Sequence, residues 1–271
     1  MKKGIRYLET DLVDVQMAAE PMDRDTLARY QKMFNLSAEE RNEVLRVLAE
    51  ASQEAVGSMG DDTPMAVLSK QVRSLFDCFR QQFAQVTNPP IDSLRERIVM
   101  SLQTNIGKEA NLFELSASDA EHVIVNSPVL SQRKWRQLIS PELFADRHVQ
   151  IDLNYREAVD LQTALDDICK QAEVAVREGA MVVCLSDRYI ESGKLPVHAL
   201  LATGAVHHHL VRKGLRCECN ILVETGYARD PHHIACLIGY GATAVYPYLA
   251  YQVLADLARQ GKVSSSIDGA Q

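Results

Sequence analysis

Four polar residues in the second half of the chain have the types and spacing that could form a ligand site. Asp187 and Arg188 follow one short apolar run, and Glu224 and Thr225 end another. Such runs are typical of buried parallel strands, and ligands bind at the carboxyl ends of parallel strands. These side chains could therefore contact a small molecule. Alternatively, they could cap the following helices or pair with one another.

A second candidate is the turn at Thr87 and Asn88, which two prolines follow. The prolines fix the backbone and remove amide donors, and a residue before proline is pushed out of the helical region. Thr87 and Asn88 would then present a hydroxyl and an amide from a rigid frame. The turn could be a structural corner or the wall of a site for a small polar molecule. The apolar spacing of residues 73–83 predicts an amphipathic helix before it.

The histidines and cysteines are poorly spaced for metal or redox chemistry. His232 and His233 are neighbours, so on a helix they point in different directions, and the histidines at 207–209 share this problem. A zinc site needs ligands about one helical turn apart and further partners. Cys217 and Cys219 do not form a C-x-x-C motif, although on a strand their thiols would share one face. We predict no metal site.

Cofactor motifs are also missing from the sequence. Neither of the glycine-rich phosphate motifs, G-x-G-x-x-G and G-x-x-x-x-G-K-[ST], occurs. The glycines at 239 and 241 fit a helix end that is followed by close packing on a strand. We therefore predict that this chain carries no cofactor of its own.

The composition of the 271 residues is that of an ordinary globular protein, with 46% hydrophobic and 24% charged residues. The net charge of -7 argues against a general nucleic-acid binder, because phosphate neutralisation needs clustered lysine and arginine. No apolar run reaches the roughly 18 residues of a membrane helix. Acidic residues soon follow the basic first residues, which argues against a signal peptide. We therefore expect reduced cysteines and a cytoplasmic protein.

The first part of the chain, residues 1–145, is predicted to be mostly helical and irregular. Helical spacing covers residues 23–34, and Ser37 with Glu40 forms a capping box that begins a second helix. The candidate short strands are residues 98–102 and 123–125.

Residues 146–260 change to an alternation of four strands and four helices. The predicted strands are 148–153, 181–185, 220–223 and 242–245, and the predicted helices are 161–177, 196–211, 230–239 and 247–258. This alternation predicts an α/β fold with a parallel sheet and right-handed crossovers. Four units make half of a (β/α)8 barrel, and a doubly wound open sheet is the alternative. Residues 261–271 are predicted to be a frayed, flexible tail.

Several long motifs occur in the order found in one known family. They are the run 54–69, the Thr-Asn-Pro-Pro turn at 87–90, Ser127-Pro128, the run 185–188, the run 228–233 and the run 241–251. Together they resemble the central domain of the large chain of bacterial NADPH glutamate synthase. The resemblance extends over residues 1–258. In that family the central domain is an α/β unit related to a truncated barrel.

The resemblance implies a connecting role in a larger enzyme. The family makes two glutamates from glutamine, 2-oxoglutarate and a reductant, in the service of glutamate biosynthesis and ammonia assimilation. An amidotransferase domain releases ammonia, which travels through a tunnel to an FMN-binding synthase domain with an iron–sulfur cluster. Thr87 and Asn88 match the turn that lines this tunnel. The expected partners are those two domains, and exposed docking faces would also allow the chain to self-associate. A membrane or nucleic-acid partner is not expected.

Some residues depart from the family pattern. The chain begins with methionine and two lysines rather than the amidotransferase cysteine, and it ends before the FMN domain. The resemblance therefore implies that it carries no catalytic residue and is inactive alone. Ser93 stands where many relatives have proline, and residues 112–123 and 131–155 are diverged. Two other hypotheses remain: a free-standing half-barrel enzyme or binder that uses the strand-end residues, and a pure interaction protein.

Overall fold

The computed structural model describes residues 6–7, 21–55, 64, 66–79, 90–109, 113, 122–140, 144 and 147–263. Within these ranges the helices are α1 (Arg24–Met33), α2 (Arg46–Ala51), α3 (Ser93–Val99), α4 (Gln132–Leu138), α5 (Leu161–Arg177), α6 (Ala199–Arg212), α7 (Pro231–Gly239) and α8 (Tyr248–Arg259). The strands are β1 (Arg6–Tyr7), β2 (Thr104–Ile106), β3 (Val123–Val125), β4 (His148–Asp152), β5 (Asn154–Arg156), β6 (Val182–Ser186), β7 (Lys194–Pro196), β8 (Asn220–Glu224) and β9 (Ala244–Tyr246). None of the described helices is both long and apolar enough to cross a membrane.

The main sheet consists of β4, β6, β8 and β9, all parallel, and its strand order follows the chain order. Consecutive units of a (β/α)8 barrel are arranged in this way, whereas a doubly wound sheet reverses its order at a switch point. The predicted α/β fold with a parallel, half-barrel-like sheet is therefore confirmed. The doubly wound alternative is wrong, because each new strand pairs with the strand before it.

Both faces of this sheet are apolar, because successive side chains of a strand point to opposite faces. Val183 and Leu185 of β6 belong to the core formed with α5, α6 and α7. Val182 and Cys184 belong to a second core that contains α1 and α8. Every residue of β6 is buried, which explains why its first four residues, 182–185, are all apolar.

The helices of this half form where local signals begin and end them. Asp160 caps α5 by accepting a hydrogen bond from the Thr163 amide, and α5 has the predicted bounds. The helix predicted to begin at residue 196 begins at Ala199 instead. Pro196 lies in β7, which pairs antiparallel with β5, so the chain makes a short ribbon before it enters α6.

The amino-terminal part contains the predicted capping box. The Ser37 hydroxyl accepts from the Glu40 amide at 3.0 Å, and the Glu40 carboxylate accepts from the Ser37 amide at 2.9 Å. A π-helical turn, Glu40–Leu45, follows and leads into α2. α1 and α2 contact α8. The small sheet has the strand order β1-β3-β2, and β3 confirms the predicted strand at 123–125.

The strand predicted at residues 98–102 is wrong. Asp92 accepts hydrogen bonds from the amides of Leu94 and Arg95, both at 3.0 Å, and so begins α3. This helix continues to Val99. The local cap outweighs the apolar run that suggested a strand. The strand lies farther along, at β2, where it pairs antiparallel with β3.

The helix predicted at residues 73–83 is also wrong over its described part. Ser74 and Asp77 form a capping box for a 3-10 turn, Leu75–Cys78, and Phe79 is already extended. A four-residue turn suffices here because Phe76 alone is buried. Residues 80–83 lie outside the described residues.

Candidate functional site

The four candidate residues at the strand ends come together in one buried network. The Thr225 hydroxyl donates to a carboxylate oxygen of Asp187 at 2.5 Å, and the Gly226 amide donates to the other oxygen at 2.9 Å. Neither Asp187 nor Thr225 has solvent-exposed surface. β6 and β8 pair with Ser186 opposite Glu224, so the residues that follow them lie side by side. The in-register pairing therefore creates the network.

Arg188 and Glu224 form the second part of the network. The Arg188 Nη1 donates to one carboxylate oxygen of Glu224 at 2.9 Å, and the Ser186 hydroxyl donates to the other at 2.6 Å. The guanidinium also lies 5.2 Å from the ring centre of Tyr248 and 5.5 Å from that of Tyr189. Aromatic faces attract a cation at such distances. Glu224 is thus paired and buried rather than open to a ligand.

The turn after Arg188 is held from two sides. Tyr189 has a φ of 68°, which is uncommon for a residue other than glycine. Its amide donates to the Tyr30 hydroxyl at 3.2 Å, and the Arg188 carbonyl accepts from the Asn154 side chain at 3.0 Å. Contacts from distant parts of the chain thus impose a backbone conformation that local preference disfavours.

Burial dominates the electrostatics of Asp187. It raises the pKa of this carboxyl to about 7, although the hydrogen bonds from Thr225 and Gly226 act in the opposite direction. Burial, followed by the nearby Asp187 charge, raises the pKa of the Tyr248 hydroxyl. That hydroxyl faces Asp187 but makes no hydrogen bond of regular geometry with any described residue. The network can therefore hold a proton at Asp187 near neutral pH.

Arg188 is charged despite its burial. Burial lowers the pKa of the guanidinium, but the hydrogen bond and the charge of Glu224 outweigh this effect and leave the pKa raised. The pair therefore remains ionic. A surface cavity lies elsewhere, against β5 and β7, and the candidate residues do not line it. Its lining residues are Arg156, Glu157, Ala158, Glu191, Ser192, Gly193 and Lys194.

Sequence reasoning missed two members of the strand-end network. Ser186 bonds to Glu224, and Tyr248 closes the network beside Arg188 and Asp187. The available signal was their position, since both lie in or just after a strand end, as the four candidates do. Their roles depend on strand register and helix placement, which a single sequence does not give.

Arg229 is a further residue that the sequence did not single out. Its guanidinium donates to the Phe34 carbonyl at the end of α1 and, at 2.5 Å, to the Glu40 carboxylate. Arg229 is buried, and its Nε has no partner among the described residues. It therefore ties the loop before α7 to the first two helical segments.

The histidine pair at the start of α7 diverges, as the sequence predicts. Asp230 caps the helix through the His233 amide, and Pro231 occupies the first turn. His232 Nε2 lies 3.1 Å from the Phe76 carbonyl, whereas His233 Nδ1 accepts from the Arg229 amide at 3.2 Å. No group of three or more histidine, cysteine or acidic residues within the described ranges is arranged to hold a metal.

The cysteine pair does not lie on a strand. Cys217 is in a 3-10 turn, Arg216–Glu218, and Cys219 follows it. Cys217 is exposed and Cys219 is buried, so the idea that both thiols share one face is wrong. The turn forms because Arg216 bonds to the Cys219 and Gly241 carbonyls at 2.7 and 2.8 Å. Thr87 and Asn88 lie outside the described residues.

Comparison with known proteins finds similar sequences in bacteria, plants and yeast. The profile described as the glutamate synthase central domain matches residues 29–270. The NADPH glutamate synthase large chain of Bacillus subtilis is 39% identical over 272 residues, covering 98% of this chain and 18% of the relative. The chloroplastic ferredoxin-dependent enzyme of Oryza sativa is 41% identical over 85% of this chain and 15% of the relative.

The NADH glutamate synthase of Schizosaccharomyces pombe is 41% identical over 239 residues, which cover 86% of this chain and 11% of the relative. The chain therefore spans less than a fifth of each of these relatives. The profile match extends from α1 to beyond α8 and includes the whole parallel sheet. The chain belongs to the glutamate synthase central domain family.

Proposed function

We propose that this chain is the connecting domain of a glutamate synthase, the enzyme that forms two glutamates from glutamine, 2-oxoglutarate and a reductant. It acts as a scaffold between an amidotransferase domain and an FMN-binding synthase domain. Family membership supports this role, as does the small fraction of each relative that the chain covers. We expect the enzyme to work in the cytoplasm and this domain to have no activity alone.

The observation that carries the scaffold role is the state of the strand-end residues. The carboxylates of Asp187 and Glu224 are buried and bonded to neighbours of the same chain. An active site in a barrel would direct such groups to substrate at the strand ends. Here they join the strands to one another. The alternative, a small-molecule site at Asp187, Arg188, Glu224 and Thr225, would require this network to open.

We also propose that Thr87 and Asn88 line an ammonia tunnel. Ammonia must stay neutral and screened from bulk water, and desolvation disfavours the ammonium form. Neutral ammonia needs only modest hydrogen-bond partners, which a hydroxyl and an amide supply. The following prolines add rigidity without adding donors. The match of this turn to the family motif is the support for the assignment.

We also propose that FMN and the iron–sulfur cluster bind in the neighbouring synthase domain. The sequence has no glycine-rich phosphate loop, and the spacing of its cysteines does not match a cluster motif. Relatives that use NADPH, NADH and ferredoxin match this chain to similar extents. The degree of identity therefore does not distinguish between these electron donors.

Exposed apolar side chains support docking to other domains. Leu94 and Ile98 stand one helical turn apart on α3 and are 84% and 74% exposed. Monomeric proteins rarely expose contiguous apolar patches of several hundred Å2. We propose that the amidotransferase and synthase domains bury these side chains in the whole enzyme. The other well-exposed large apolar residues of this stretch are Val67, Leu68, Val72, Met100, Leu102 and Phe113.

A chimera tests this proposal. The chain replaces the matching segment of the Bacillus subtilis large chain, and the glutamate formed per glutamine hydrolysed is measured. The expected result is coupled glutamate synthesis, which falls when Thr87→Val and Asn88→Leu are introduced together. If the chimera assembles and both substitutions leave the glutamate formed per glutamine hydrolysed unchanged, the tunnel role is refuted. A small molecule that co-purifies with the isolated chain and is lost on Asp187→Asn would favour the alternative site.

A further inference from the structure

Phe76 anchors a short turn of the amino-terminal part against the second half of the chain. Among the described residues between Leu45 and Ile106, it is the only buried one. Its side chain has no exposed surface, whereas Val72 and Leu94 on either side are 75% and 84% exposed. Burying a side chain of this size is among the larger apolar contributions to stability. Phe76 therefore makes the deepest contact between these described residues and the rest of the domain, and the half-buried Phe79 ring adds a contact with Tyr240 at 5.4 Å.

Histidines form the pocket around Phe76. Its ring stacks on that of His233, with centroids 4.3 Å apart and planes 22° apart. The His198 ring approaches its edge at 5.1 Å. His232 Nε2 lies 3.1 Å from the Phe76 carbonyl oxygen. Residues from the start of α6 and the first turn of α7 thus hold both the ring and the backbone of the anchor.

The hydrogen bonds of these rings require the neutral form. His198 Nδ1 accepts from the Leu200 amide at 3.3 Å, so its ring proton is on Nε2, 3.3 Å from the Ser74 hydroxyl. His233 Nδ1 accepts from the Arg229 amide at 3.2 Å. A protonated ring has only donors. A second proton would place an N–H against an N–H in both places and break both hydrogen bonds.

The surroundings of His198 also oppose its charge. Burial, followed by the charges of His233 and Arg229, lowers the pKa of His198 to about 4. The Tyr227 ring packs on it with centroids 4.1 Å apart. Within the turn that carries Phe76, the His198 ring faces the Phe76 ring and the uncharged Ser74 side chain. No carboxylate among the described residues lowers the cost of protonating this ring.

The surroundings of His233 are mixed but have the same net effect. Burial lowers the pKa of His233, and the charges of Arg229 and His232 lower it further. The carboxylates of Asp230 and Glu40 act in the opposite direction without reversing the shift. Both rings that contact the Phe76 side chain therefore resist protonation while it is docked.

We propose that Phe76 docks the 3-10 turn Leu75–Cys78 against the starts of α6 and α7, and that His198 and His233 hold it there only while both are uncharged. An undocked histidine takes up a proton near pH 6.5. Docking is therefore complete above that pH and weakens as the pH falls toward 4. Acid would loosen the anchor before it unfolds the domain.

Hydrogen exchange of the purified chain tests the anchor. The reporters are the Asp77 and Phe79 amides, which bond to the carbonyls of Ser74 and Phe76. With His198 at pKa values of about 4 docked and 6.5 undocked, intrinsically corrected exchange should be about tenfold faster at pH 5.5 than at pH 7.5. Equal corrected rates at both values would overturn the acid dependence.

Variants distinguish the effect of histidine protonation from a general loss of stability. An asparagine in place of His198 would retain an oxygen for the Leu200 amide but cannot gain a proton. His198→Asn with His233→Asn should therefore abolish most of the pH ratio, which is the corrected exchange rate at pH 5.5 divided by that at pH 7.5. His208→Asn, at an exposed position of α6, is the matched control and should retain it. Phe76→Leu should speed exchange modestly and Phe76→Ala strongly at both pH values. A pH ratio that survives the double histidine change would overturn the proposal.

Discussion

The Arg188 guanidinium donates a 2.9 Å hydrogen bond to the Glu224 carboxylate, joining the ends of β6 and β8. Removing one partner of a buried pair leaves the other charge uncompensated, which is strongly destabilising. Because the Arg188 side chain is 19% exposed, we expect Glu224→Ala to lower the free energy of unfolding by about 3 kcal/mol. Urea denaturation measures it.

The control for this change is an exposed ion pair. Arg46 and Glu50 lie one turn apart with their charged groups 3.9 Å apart and well exposed. Glu50→Ala should cost no more than about 0.5 kcal/mol. Equal losses of unfolding free energy in the two variants would show that the buried pair stabilises the fold no more than an exposed pair does.

Asp187 should make stability depend on pH in a defined direction. Its folded-state pKa of about 7 is above the unfolded value of 3.8, so its stabilising contribution is full below pH 4 and is lost as the pH rises through 7. Asp187→Asn removes this titration. The stability of the variant relative to the parent should therefore rise between pH 4 and pH 8, by at most roughly 4 kcal/mol.

This prediction is checked by urea unfolding of both proteins at several pH values. Comparing the two proteins at each pH cancels the contribution of the histidines, which has the opposite sign. A difference between the two proteins that stays constant from pH 4 to pH 8 would contradict a raised pKa at Asp187.

Gly226 is a position where packing demands glycine. A Cβ atom there would lie 2.7 Å from the Phe34 ring, and Phe34 is 1% exposed and therefore has little room to move. Gly226→Ala should cost about 1–3 kcal/mol of unfolding free energy. In thermal unfolding, Gly239→Ala is the matched control, because its Cβ would meet nothing within 4 Å. An unchanged midpoint for Gly226→Ala would contradict the close packing.

The exposed face of α3 should promote self-association of the isolated chain. Leu94→Ser with Ile98→Ser should shift the protein toward monomer in sedimentation velocity while changing its unfolding free energy little, because both side chains are already in water. Val174→Ser, at a half-exposed position on α5, is the control and should leave the association unchanged. Association that is indifferent to the α3 changes would argue against this face as a docking surface.

The sequence by itself determined the elements whose signals are local. The capping box at Ser37 and Glu40, the cap at Asp160 and the proline in the first turn of α7 act within four residues of their positions. The apolar run of β6 likewise required burial on both faces. These signals were sufficient for the parallel sheet and for most of its helices.

Only the tertiary structure decided which partners the strand-end residues have. Their types allowed either a ligand site or mutual pairing, and the register of β6 against β8 selected pairing, because it puts Ser186 opposite Glu224. The 3-10 turn at Phe76 was also unpredictable, since histidines far along the chain form its pocket. Local patterns describe which faces are apolar, whereas long-range packing decides which buried polar groups find each other.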